Sequence, residues 1–139
     1  MSYSELIQAY FERSVALQWY WTIYVLVIGG VLAFSTLRRQ REVVTTLLVT
    51  LLYIGFAYRN LGAIVSTATE RASLLAAAKA YVPDEADKSR VEFVRGKLDS
   101  ALPEYDIAGA RNFHLMCDAL TVAYLWAKEW RRRQPRIAR

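Results

Sequence analysis

The sequence predicts an all-α integral membrane protein with three transmembrane helices, a short amphipathic N-terminal helix and an external helical segment between spans two and three. Three observations carry this expectation. The chain is 55% hydrophobic with a mean hydropathy of +0.13 although 22% of its residues are charged, so apolar and charged residues are segregated along it. Residues 14–37 hold no charge, whereas residues 83–106 hold one at nearly every second position. The net charge of +5 is also localised: residues 128–139 carry all of it, residues 38–42 add +2, and the remainder is slightly acidic. A basic tail directly after an apolar run marks the cytoplasmic side of a membrane rather than a nucleic-acid site. At 139 residues the chain forms a single membrane domain.

Ser2 and Glu5 have the spacing of a capping box, and Leu6, Ile7, Tyr10 and Phe11 follow at helical intervals, which predicts the amphipathic leader helix. The first span covers residues 16–37, which rise about 33 Å against a hydrocarbon layer of ~30 Å. Trp19 and Trp21, with Tyr20 and Tyr24, supply an outer aromatic belt, and Arg38, Arg39 and Arg41 close the inner end. A cleaved signal peptide does not fit: the leader holds two acids and one arginine, the apolar stretch is too long, and three arginines follow it.

The second span is placed at residues 43–67. Its uninterrupted apolar part ends at Tyr58, only about 24 Å along, so it must continue past Arg59. The alanine-rich stretch beyond extends the helix into water until Pro83 stops it. Residues 68–106 form the external segment. Within it a turn at Pro83–Asp87 precedes a helix with Val91, Val94, Leu98 and Leu102 on one stripe, capped by Asp87 or Ser89 and ended by Pro103.

The third span, residues 107–127, contains Arg111, His114 and Asp118. Its leucines and valine offer roughly −1 to −2.5 kcal/mol for insertion, and a central aspartate costs about +2.5 to +3.5 kcal/mol. Charge distribution argues for crossing. With three spans, nine Lys/Arg lie inside within 17 residues and seven lie outside within 50. The N-terminus is then external and the C-terminus cytoplasmic, in the plasma (cell inner) membrane. Trp126 and Trp130 form the inner belt, and Arg131, Arg132 and Arg133 anchor it.

Arg111, His114 and Asp118 recur at i, i+3 and i+7, on one face of the last helix, and lipid offers such a face no partner. The expected arrangement is a buried polar clamp in which Asp118 pairs with Arg59 or Arg111, Arg59 alternatively snorkelling to the headgroups and Asn60 facing a helix. His114, the only histidine, could ligate haem or chlorophyll, although no cofactor is assigned. One histidine per chain cannot supply a two-histidine haem unless copies share it. Gly29 and Ala33 in span one, and Gly55 and Gly62 in span two, are small residues of the kind that let helices approach. The single Cys117 excludes an intramolecular disulfide. No Gly-rich phosphate loop and no nucleophile elbow is present, no soluble substrate or nucleic-acid partner is indicated, and no enzyme is expected.

The partners expected are the lipid bilayer and other membrane chains or copies of this one. The role expected is that of an accessory or structural subunit of a larger membrane complex, or a homo-oligomeric membrane assembly. One alternative is a homo-oligomeric channel or pore lined by Arg59, Arg111, His114 and Asp118; another is a cofactor- or pigment-binding subunit using His114.

Overall fold

The computed structural model describes residues 2–98 and 105–131, and within them the protein is all-helical: α1 (Tyr3–Leu37), α2 (Val43–Ala80), α3 (Lys88–Leu98) and α4 (Ile107–Arg131). The expected end of the third element at Pro103, and the anchors Arg132 and Arg133, lie outside the described residues.

The leader and the first span are one helix of 35 residues, about 52 Å long. It starts where the Ser2 hydroxyl accepts the Glu5 N–H (3.3 Å) and the Glu5 carboxylate accepts the Ser2 N–H (2.7 Å). The backbone bond from Ser2, then its hydroxyl, holds the Glu5 carboxyl below its ordinary value of 4.5. Beyond Leu37, Arg38 turns extended and the chain reverses through residues 38–42. Helix α2 then runs unbroken for 38 residues, about 57 Å, because alanine and leucine carry it past the apolar stretch. Tyr81 turns extended ahead of Pro83. Both helices are long and apolar enough to cross a membrane with length to spare.

Helices α1 and α2 are antiparallel: Tyr10 meets Arg71 and Arg13 meets Glu70 (3.2 Å) near one end, and Arg38 meets Thr46 (2.9 Å) at the other. Helix α3 covers the first end, where Val91 joins Tyr3, Leu6 and Ala78 in a small core. Arg95 of α3 donates to the carbonyls of Ala78 (3.1 Å) and Tyr81 (2.7 Å), groups that the end of α2 leaves without helical partners.

Helix α4 lies along the other half, parallel to α1. Asp106 caps it, its carboxylate accepting the Gly109 N–H (2.8 Å) and its carbonyl the Ala110 N–H (3.0 Å). A Cβ on Gly109 would run into that carboxylate. Trp21 donates to the Tyr105 hydroxyl (2.9 Å) at the start of α4, and Thr36 meets Tyr124 (3.0 Å) further along.

The three-helix half buries polar side chains among its apolar ones and turns many large apolar residues outward. Helix α2 buries Thr46, Thr50, Tyr53, Ala57, Asn60, Ile64 and Thr67, alternating by four and three residues, the spacing of a helix-packing seam. Helix α4 buries His114, Thr121, Leu125 and Glu129. Large apolar residues point outward from all three helices, as at Leu26 (67% exposed), Leu52 (75%) and Leu120 (62%).

Candidate functional site: two buried polar clusters

The first cluster sits where α1, α2 and α4 meet and centres on Asp118. Its Oδ1 accepts the hydroxyls of Tyr53 (2.7 Å) and Tyr24 (2.9 Å), and its Oδ2 is 2.8 Å from His114 Nδ1. On the far side of the imidazole, Asn60 Nδ2 is 3.4 Å from Nε2. An amide nitrogen only donates, so Nε2 accepts and Nδ1 carries the proton given to Asp118. The Tyr24 ring stacks on the imidazole with centroids 3.8 Å apart and planes 24° apart, its hydroxyl also reaching the His114 carbonyl at 3.0 Å. His114 is fully buried and Asp118 is mostly so, 19% of its side chain being exposed. Leu17, Ile64 and Ala68 cover the cluster on the α3 side, and Leu125 is buried one to two turns beyond Asp118 on the other.

The second cluster lies at the α1–α2 reversal. Glu129, 1% exposed, accepts from Arg38 (2.7 Å) and from the Thr46 hydroxyl (3.1 Å) on one carboxylate oxygen, while Arg41 stands 4.0 Å from the other. Arg38 also donates to the carbonyls of Gln40 and Glu42, each at 3.2 Å. One guanidinium therefore fixes the reversal and ties α4 to it.

The expected clamp is corrected in its partners. Among the described residues neither Arg59 nor Arg111 pairs with Asp118 or with any other acid, and both side chains are exposed. Asn60 points inward, so the 100° step per residue turns its neighbour Arg59 out. Arg111 is seven residues from Asp118, about 10 Å along the axis, and the carboxylate is already filled by two tyrosines and a histidine. Arg59, Arg111, His114 and Asp118 therefore do not share a lumen within one chain. Both ring nitrogens of His114 are engaged, so haem or chlorophyll ligation there would break a bond of the cluster.

Other expected residues fall as follows. A Cβ at Gly29, Gly55 or Gly62 would meet nothing within 4 Å, and Ala33 is exposed, so these small residues do not draw the helices of one chain together. Trp19 and Trp130 are exposed; Trp21 is half-buried against Tyr105, and Trp126 lines an α2–α4 groove. Arg39 and Arg131 are exposed, whereas Arg38, expected as an interfacial anchor, turns inward to Glu129.

Sequence reading missed Tyr24, Tyr53, Thr46 and Glu129 as cluster members. The four-and-three spacing of Thr46, Thr50, Tyr53 and Asn60 was available as a signal. So was the placement of Glu129 three turns beyond Asp118, on its face of α4. Compared with family models, with curated proteins and with solved structures, the chain gives no match in any of the three.

Proposed function

We propose that this chain is a three-span membrane protein of the plasma (cell inner) membrane that acts by packing against other membrane chains or copies of itself, as an accessory or structural subunit. The observation that carries the reading is the inverted side-chain distribution of α4. This helix turns His114, Thr121 and Glu129 inward and Phe113, Leu115, Met116 and Leu120 outward, which suits a lipid surround. Three donors on Asp118 offset the cost of about +2.5 to +3.5 kcal/mol that a central aspartate brings to insertion. The outer faces, including an apolar groove of about 690 Å³ between α2 and α4 bordered by Tyr53, Ala57 and Trp126, offer surface for neighbouring helices. Arg39 and Arg41 at the reversal and Lys128 and Arg131 at the end of α4 support a cytoplasmic position for that end of the bundle.

Reporter fusions at both termini and native mass in mild detergent test this. The expected result is an external N-terminus, a cytoplasmic C-terminus and a particle heavier than one chain. Both termini in one compartment would refute three spans, and a monodisperse single chain would refute the assembly role.

A further inference from the structure

Arg71 stands apart from both clusters, on α2 four residues beyond the expected outer end of span two, about 6 Å further along the axis. Its guanidinium lies over the Tyr10 ring (4.7 Å to the centroid), donates to the Tyr10 hydroxyl and approaches the Tyr105 ring at 5.9 Å. The Nε atom is buried without a hydrogen-bond partner, and among the described residues no carboxylate lies within ion-pair distance of Arg71. The adjacent acid, Glu70, is directed to Arg13, and Asp106, next to Tyr105, is directed to the α4 backbone. Arg71 borders two hollows. One, about 210 Å³, is shared with Lys79, Leu75 and Tyr105; the other, about 550 Å³, runs past Leu17, Gln18 and Trp21 toward the start of span one.

A half-buried guanidinium that borders a hollow, is held in place by aromatic rings and has no carboxylate paired to it among the described residues suits an oxyanion. We propose that the Arg71 pocket binds a phosphate-type oxyanion, with the Arg71 guanidinium as the charged donor group and Tyr10 and Tyr105 as walls. The same chemistry is offered by a phospholipid headgroup and by free phosphate. The headgroup is the better fit, because Arg71 lies just outside the hydrocarbon layer and the larger hollow leads down toward it; that preference rests on the membrane reading above.

The test uses purified protein in detergent. Inorganic phosphate is titrated against chloride at constant ionic strength, and phosphatidylglycerol is titrated beside diacylglycerol, which lacks the phosphate. Thermal unfolding and native mass spectrometry read binding. Saturable binding of phosphatidylglycerol but not diacylglycerol is expected, about tenfold weaker in Arg71→Met, as for loss of a charge-assisted bond, and unchanged in Arg59→Met. If inorganic phosphate binds as tightly as phosphatidylglycerol and loses affinity in Arg71→Met, the pocket stands and its ligand is soluble. Equal binding by a folded Arg71→Met variant overturns the proposal. Should that variant not fold, the parent decides alone: absence of saturable binding of both phosphate and phosphatidylglycerol overturns it. Because every titration is made in detergent, a topology with two spans would refute the three-span reading without altering these results.

Discussion

Replacing Asp118 by leucine tests whether the carboxylate holds the bundle together. The substitution keeps apolar bulk and removes the acceptor for Tyr53 (2.7 Å), Tyr24 (2.9 Å) and His114 Nδ1 (2.8 Å). Tyr24 retains the His114 carbonyl at 3.0 Å, so two donors are left without a partner. At about 1–3 kcal/mol for each buried orphaned donor, the loss is roughly 2–6 kcal/mol. Interhelical hydrogen bonds in membranes measure lower, ~0.6 kcal/mol on average and ~1.7 at most, because the unfolded chain in lipid also finds partners. The expectation is therefore about 2–3 kcal/mol for Asp118→Leu and roughly half that for Asp118→Asn, which keeps one acceptor oxygen. Reversible unfolding in mixed SDS micelles, followed by circular dichroism and by the fluorescence of Trp21, whose ring is 5.9 Å from that of His114, gives the number. Coupling sharpens the test. Tyr53→Phe should destabilise the parent and stabilise Asp118→Leu, because in the second background it removes an orphaned hydroxyl. An Asp118→Leu protein as stable as the parent, or a Tyr53→Phe effect identical in both backgrounds, would refute the reasoning.

At the α1–α2 reversal, Arg38→Met should cost about 3 kcal/mol, since it removes the shortest ion pair of a carboxylate that is 1% exposed and leaves it Thr46 and the more distant Arg41. Arg38→Lys should recover only part of this, because a single ammonium cannot serve Glu129, Thr46 and two carbonyls together; SDS unfolding midpoints measure both, and full recovery by lysine would contradict the geometry. Gly109→Ala, although it raises helix propensity, should loosen the first turn of α4, because the new methyl displaces the Asp106 cap; faster amide exchange at residues 108–110 is the expected signature, and slower exchange would count against it. The Glu5 carboxyl is held below its ordinary value of 4.5, so the capping box contributes fully above that value and is lost as pH falls through the lower folded value. Side-chain NMR titration of Glu5 should show the lowered midpoint in the parent and its return toward 4.5 in Ser2→Ala, with the first turn of α1 fraying in acid.

Helix existence was legible from local information. The Ser2–Glu5 box, the uncharged stretch before Arg38, the alanines that carry α2 to Ala80 and the stop near Pro83 are each determined by residues a few positions apart, and backbone propensity and capping act over that range. The placement of His114 and Asp118 on one side of α4 was legible too, because residues four apart share a side wherever the helix goes, whereas Arg111 stands exposed outside the cluster. The partners of Asp118 were not. Charge alone favours an arginine, yet which side chains reach the carboxylate depends on the rotation and register of α1 and α2 against α4. Those are fixed by packing between residues up to 94 positions apart, as for Tyr24 and Asp118. The sequence by itself thus determined the helical segments and their apolar stretches, whereas the leader and the first span proved to be one continuous helix. Tertiary packing decided that two tyrosines and a histidine rather than an arginine fill Asp118, that Arg38 turns inward to neutralise Glu129, and that Arg71 pairs with no carboxylate among the described residues. The physical reason is that a helix forms from neighbours in sequence, whereas a buried charge is satisfied only by whatever groups the packed helices bring within about 3 Å of it.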